Sequence, residues 1–258
     1  MSEWNATDYH SHSRLQEVLA QQHLSWLPLE GWERVLDVGC GDGKITAALA
    51  ARLPRGSAVG VDPSTQMVAY ASGNYDPAKY PNLSFRVGDA RDLPFSAEFD
   101  RAVSFNALHW VHEGDAALRS IRRALVGGGR AFLEFVPAGK PSSTDYLVGE
   151  VCRSPRWAGY FAGFRDPFAH FAPDEYRSMA ERAGFAVERI ETEEASWDFG
   201  DREGFLGFLR TTTYGWTERL PEAERPAFYE DCLNRYAEAN GTDRVLRFLQ
   251  MEVALRAA

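Results

Sequence analysis

Residues 35–44 read Val-Leu-Asp-Val-Gly-Cys-Gly-Asp-Gly-Lys, a β-forming run that breaks into three alternate glycines before a helical pattern begins. Glycines at such a junction let the chain turn sharply from strand to helix and let a ligand approach the backbone. The helix that follows aims its first N–H groups back at the loop, which favours an anionic group there. The spacing is Gly-x-Gly-x-Gly rather than the Gly-x-Gly-x-x-Gly of dinucleotide binders. Two acids, Asp37 and Asp42, sit in the loop itself, and a diphosphate beside them would be repelled. Asp42 is equally a turn former.

Two further acids follow in order. Asp62 stands 19 residues after Gly43, at the end of a second β-rich run, where a carboxylate can accept from both hydroxyls of a ribose. Asp89-Ala90 ends a third run, where an acid can accept from an adenine amino group while the neighbouring N–H meets a ring nitrogen. Each acid alone is more often a cap or turn residue. Acids at three successive strand ends point together to a nucleoside. S-adenosylmethionine matches this pattern, because an acidic rim suits its ammonium and sulfonium and the helix start suits its single carboxylate.

Methyl transfer is an in-line displacement, and a carboxylate acceptor, ionised at neutral pH because its pKa is about 4, needs no general base. An alcohol or amine would need one. The candidate bases are His109, His112 and His170. His109 follows the fourth β-rich run and reads either as a substrate contact or base, or as packing at a helix start. Trp110 is a cofactor or acceptor contact or a core aromatic; Asn106 is a backbone contact to the cofactor or a turn residue. Tyr214 and Trp216 are candidates for the acceptor pocket, with core packing as the alternative. Tyr9, Ser13 and Gln16 share one helical face, either a lid over the cofactor or a solvated stripe. Cysteines and histidines form no metal set, so no metal is expected, and there is no Gly-x-Ser-x-Gly elbow.

These residues need a frame of alternating strands and helices. Strands are expected at 34–38, 58–61, 83–87, 99–105 and 130–136, with Gly127-Gly128-Gly129 as the turn into the last. Helices are expected from Lys44, from Ser64 to about Ala71, and over Ala116–Leu125. This alternation implies a parallel sheet covered on both faces. Residues 137–172 are rich in Pro, Gly and aromatics and read as an irregular cap. Pro173 opens a helix that Gly184 stops. A strand near 185–192, helical stretches at about 201–213 and 221–238, and a final strand complete the pattern. In that last strand Leu249, Met251, Val253 and Leu255 face the dry side, and Gln250, Glu252 and Arg256 the other.

The 258 residues, 45% of them apolar, suit one large α/β domain. A net charge of −9 argues against a nucleic-acid partner; Arg119, Arg122 and Arg123 read as a solvated helix face. Cys40, Cys152 and Cys232 are odd in number and far apart, which fits a reduced, cytoplasmic setting. The N-terminus lacks a signal pattern, no apolar run nears the ~20 residues of a membrane span, and no protein partner is evident.

In combination the motifs resemble those of class I S-adenosylmethionine-dependent methyltransferases. Residues 35–43 look like their first motif, Val-Gly-Val-Asp-Pro-Ser (59–64) like the second, Gly-Asp-Ala-Arg-Asp-Leu-Pro-Phe (88–95) like the third, and residues 99–110 like the fourth. A narrower likeness, carried by Met-Ser-Glu-Trp-Asn (1–5) with Tyr9, by Leu108-His109-Trp110 and by Leu220-Pro221-Glu222-Ala223-Glu224, is to trans-aconitate methyltransferase-like small-molecule carboxyl methyltransferases. The likeness implies a Rossmann-like α/β fold, with a seven-stranded, mostly parallel sheet in the order 3-2-1-4-5-7-6 and its last strand antiparallel. It implies one domain over 1–258: a lid segment at 1–30, a cofactor-binding core at 33–136, and cap insertions at 137–183 and 197–240. Cofactor contacts are then expected at Asp37, Gly39, Cys40 and Gly41, at Asp62, Pro63 and Met67, and at Asp89, Ala90, Asn106 and Ala107. Substrate contacts are expected at His109, Trp110, Tyr214 and Trp216. The implied reaction is methyl transfer to a small-molecule acceptor, a carboxylate oxygen favoured, with a hydroxyl, amine or carbon as the alternative and a non-catalytic binder as a third reading. Asp42 stands where that narrower group usually has Pro, and the cap does not match it, so the acceptor stays open.

Overall fold

Val35, Leu36 and Val38 are all buried, the mark of a strand covered on both faces at the centre of a parallel sheet. The computed structural model describes residues 27–258 together with Val18 and Leu24. Tyr9, Ser13 and Gln16, and nearly all of the expected lid, lie outside the described residues. Seven strands, β1 (Arg34–Val38), β2 (Ser57–Asp62), β3 (Leu83–Val87), β4 (Phe99–Phe105), β5 (Leu125–Phe135), β6 (Phe185–Asp198) and β7 (Val245–Ala257), form one sheet. Its order is β3-β2-β1-β4-β5-β7-β6, as the family likeness implies. β1 to β5 pair in parallel, and β7 runs antiparallel to both β5 and β6.

Helices α1 (Lys44–Ala51), α2 (Thr65–Asn74) and α3 (Gly114–Ala124) connect the parallel strands. On one face α3 buries Ala117, Leu118, Ile121 and Ala124 against Leu36, Ala102 and Leu133. Burying Leu118 or Ile121 contributes about 1.5–3 kcal/mol each. Asp115 in the first turn and Arg122 and Arg123 in the last complement the helix dipole. Those arginines do more than face water. Arg122 donates to the carbonyls of Gly184 and Ala258, and Arg123 donates to the Leu93 carbonyl. On the opposite face Ala47, Leu49, Ala50 and Leu53 of α1 and the loop after it pack on Val35, Ala58 and Val103.

Three segments differ from expectation. The glycine run 127–129 lies inside β5, which starts at Leu125, and a register shift between Phe99 and Arg101 accommodates it. β6 continues to Asp198: past the point where β7 pairs with β5, residues 245–250 of β7 pair with β6 alone. The resulting two-stranded ribbon explains why polar Glu193 and Glu194 can belong to a strand. Within 137–172 a helix, α4 (Thr144–Arg153), buries Leu147, Val148, Val151 and Cys152 at helical spacing.

α5 (Pro173–Arg182) starts at its proline as expected. α4, α6 (Arg202–Thr212), the short α7 (Tyr214–Thr217) and α8 (Arg225–Asn240) share a separate aromatic core. There Trp157 meets Phe228 edge-on at 5.2 Å and satisfies its indole N–H on Asp231 at 2.8 Å. Leu246, on the ribbon, belongs to the same cluster. The cap therefore stands on the extension of β6 and β7.

Candidate active site

Gly39, Gly41 and Gly43 take φ values of 81°, 52° and 82°, the left-handed region that favours glycine. The turn is pinned by the N–H groups of Gly39 and Cys40, which donate to the Val61 carbonyl at 2.7 and 3.1 Å. A Cβ at Gly39 would overlap that of Ala107, so the loops after β1 and β4 touch. Asp62 joins the ends of β1 and β2: Oδ2 accepts from Gly41 N–H at 3.0 Å and Oδ1 from Ser64 N–H at 2.9 Å. An ionised carboxylate offers about four acceptor sites, a set suited to hydroxyl donors. Ser64 caps α2, accepting from Met67 N–H at 3.2 Å.

A cavity of about 630 Å³ opens at these strand ends, within the range of small-molecule sites. Gly39, Gly41, Asp62, Pro63, Met67, Asp89, Ala90, Asn106 and Ala107 line one part of it. His109, Trp110, Tyr214 and Trp216 line the other. The expected residues that the structure describes thus come together, with two exceptions. Asp37 turns into the seam between sheet and α1, accepts from Thr46 Oγ1 at 2.7 Å, and is pushed up to about 7 by burial. Cys40 is likewise behind the wall, where its sulfur would lie 2.9 Å from a Cβ at Gly60. Asp42 is also off the cavity: Oδ1 accepts from Lys44 N–H at 3.2 Å and Oδ2 pairs with Lys44 Nζ at 3.5 Å. The acids on the rim are therefore Asp62 and Asp89, not the two in the glycine loop.

Asp89 is held well below the usual carboxylate range by hydrogen bonds from Arg91. Arg91 grips it through Nε and Nη2 at 2.6–3.0 Å and reaches Glu113 through Nη1 at 3.1 Å.

Gln250 lines the cavity floor beside Asn106, and Glu134 lies behind it; neither had been given a role in the site. Asn106 has a φ of 52°, and its N–H donates to the Glu134 carbonyl at 2.8 Å. Gln250 Nε2 donates to Asn106 Oδ1 at 3.1 Å and also to Glu134 Oε1. Burial first, and the Glu252 charge second, push Glu134 up to about 8, so this acid is neutral at pH 7. Gln250 Oε1 is buried with no hydrogen-bond partner among the described residues. The expected outward face of the last strand is covered at Gln250 because the site sits against it; alternation alone gives no signal for this.

His109 lies in a 3-10 turn, Leu108–Trp110, and is 4% exposed. Val136 N–H donates to its Nδ1 at 3.5 Å, which leaves the neutral ring's proton on Nε2. Burial, with the nearby charge of His170, drives its pKa down to about 3. Phe168 packs edge-on against His109, Trp110 and Trp216 at 4.5, 4.6 and 5.0 Å. Phe168 was visible in the sequence only as one of many aromatics in the cap. His170 lies outside the cavity lining, between Asp145 at 3.3 Å and Asp166 at 3.2 Å.

A methyltransferase-domain family model matches residues 35–129. The chain is 32% identical over 145 residues to trans-aconitate 2-methyltransferase of Deinococcus radiodurans, covering 56% of this chain and 54% of that one. Residues 35–129 thus match a methyltransferase domain, and the motifs and sheet order are those of the class I S-adenosylmethionine-dependent methyltransferases. The chain is also 31% identical over 162 residues to juvenile hormone acid O-methyltransferase of Bombyx mori, covering 60% of this chain and 57% of that one. The matched stretch thus spans a little over half the length of these two relatives. A likeness of fold extends further: YcgJ of Bacillus subtilis superposes with a TM-score of 0.66 at 19% identity, covering 93% of this chain and 98% of that one.

S-adenosylmethionine is the cofactor that the methyltransferase-domain match points to, and the residues present fit it. The glycine loop exposes backbone at the cavity edge, Asp62 holds a carboxylate at the end of β2, and the unsatisfied Gln250 Oε1 offers an acceptor to a ligand donor. Among the described residues there is no group of three or more His, Cys, Asp or Glu able to hold a metal, and no helix is long and apolar enough to cross a membrane.

Proposed function

We propose that this methyltransferase forms a methyl ester on a carboxylate oxygen of a small-molecule acid. The state of His109 carries the reading. It is the histidine buried in the aromatic part of the cavity, and with its pKa down to about 3 it is a poor base near neutral pH. An alcohol or phenol would need a base of matched pKa there; a carboxylate arrives ionised. S-adenosylmethionine supplies a methyl group already activated on sulfur. Asp62 accepts from the ribose hydroxyls, Asp89 and Ala90 border the adenine, and Asn106 and Ala107 support the cofactor from the end of β4. His109, Trp110, Tyr214 and Trp216 border the acceptor, orient it and exclude water. Two of the similar relatives are named for acids, trans-aconitate and juvenile hormone acid.

A labelled-methyl transfer screen over small carboxylic acids, phenols and amines tests the proposal. The expected product releases its label under mild alkaline hydrolysis, as a methyl ester does. Label that survives hydrolysis on a phenol or amine product, with no acid methylated, rules the reading out.

A further inference from the structure

The acceptor part of the cavity has an uneven charge inventory. Its walls are largely apolar and aromatic: Trp110, Val148, Phe164, Phe168, Trp216 and Phe248. Three acids, Asp145, Asp166 and Glu218, also line it, and Asp145 and Asp166 already bracket His170. Two arginines reach the lining. Arg91 is taken up by Asp89 and Glu113. Arg165, in the loop between α4 and α5, makes no hydrogen bond or ion pair with any described residue, though its charge is felt at Glu113. Among the described residues, then, one open cation lines the cavity, and it can answer one carboxylate. A second or third carboxylate on the same acceptor would lie among like charges in a partly apolar cavity, at a cost that grows as the dielectric falls.

We infer that the acceptor is a monocarboxylic acid with an aromatic or aliphatic body, packed among Trp110, Phe168 and Trp216, and that Arg165 selects it by its single negative charge. This rests on the carboxylate reading above. The geometry separates it from a polycarboxylate of the kind named for the Deinococcus relative. The bond that forms joins the acceptor's carboxylate oxygen to the methyl carbon. The bond that breaks is the one from that carbon to sulfur, which keeps the electron pair; no proton moves and no further reactant is needed.

The test is steady-state methyl transfer by the full chain to arylalkanoic and medium-chain alkanoic acids, set against dicarboxylic and tricarboxylic acids. The expected kcat/KM favours monocarboxylates by about tenfold or more. Arg165→Gln, at an exposed position, raises KM for the acid about tenfold with kcat little changed, and Arg165→Lys recovers part of that loss. A dicarboxylate or tricarboxylate preferred over every monocarboxylate overturns the inference and leaves ester formation standing. An unchanged KM in Arg165→Gln removes Arg165 from selectivity and overturns it equally. Methylation of amines or phenols alone defeats both this inference and the carboxylate reading.

Discussion

Gln250 on β7 donates at 3.1 Å to the side-chain oxygen of Asn106, 144 residues earlier at the end of β4. The same amide nitrogen also serves Glu134. This one side chain holds a non-glycine residue in the left-handed region at the cofactor edge of the cavity, and ties the antiparallel strand to the parallel half of the sheet.

Gln250→Leu keeps approximate volume but removes the amide donor that serves the Asn106 oxygen and the Glu134 carboxyl. Leaving a buried polar group unsatisfied costs about 1–3 kcal/mol, so urea unfolding should show a loss of that size. Affinity for S-adenosylmethionine, read by calorimetry, should fall more than affinity for the acid. A variant with wild-type stability and affinity would show that the contact positions nothing.

The two raised acids set a pH dependence. Glu134, pushed up to about 8, and Asp37, pushed up to about 7, bind protons more tightly in the folded chain than in the unfolded one, where carboxylates titrate near 4. Their contribution is fully present below the unfolded pKa and is lost as pH rises through about 7 and then 8. The melting temperature should therefore fall between about pH 5 and pH 8 and level off above that. Glu134→Gln, neutral throughout, should flatten part of that fall; an equal fall in the variant would contradict the assignment.

Asp62 serves both the glycine loop and, in the proposal, the ribose. Asp62→Ala should weaken S-adenosylmethionine binding about a hundredfold or more, because two charge-assisted hydrogen bonds at about 1.5–3 kcal/mol each are removed. Gly39→Ala should also lose binding, by driving the loop off Ala107. Wild-type affinity in Asp62→Ala would remove the carboxylate from the cofactor site.

The cofactor half of the site was legible in the sequence because its parts are local. A β-run, a glycine turn and a helix start fix the loop, and Asp62 and Asp89 stand at strand ends that periodicity locates. Asp37 and Cys40 were misplaced because alternation along β1 and its loop does not say which side chains meet α1 behind the wall. Gln250 and Glu134 were hidden for a different reason. Their partner, Asn106, is remote in the chain, and β7 looks half-solvated unless its place between β5 and β6 is known. α4 was masked by the proline and aromatics around it, and those aromatics build a cap core whose contacts depend on the β6–β7 ribbon.

The dependence of kcat on pH, with saturating S-adenosylmethionine and a carboxylic acid, tests most directly whether the acceptor enters already ionised. The predicted profile is flat from about pH 6 to pH 9, and His109→Asn loses no more than about tenfold, since orientation and packing are what it removes. A kcat that climbs with a single ionisation in that window, together with a loss of about 10²–10⁴ in His109→Asn, is the signature of a general base and would contradict the account.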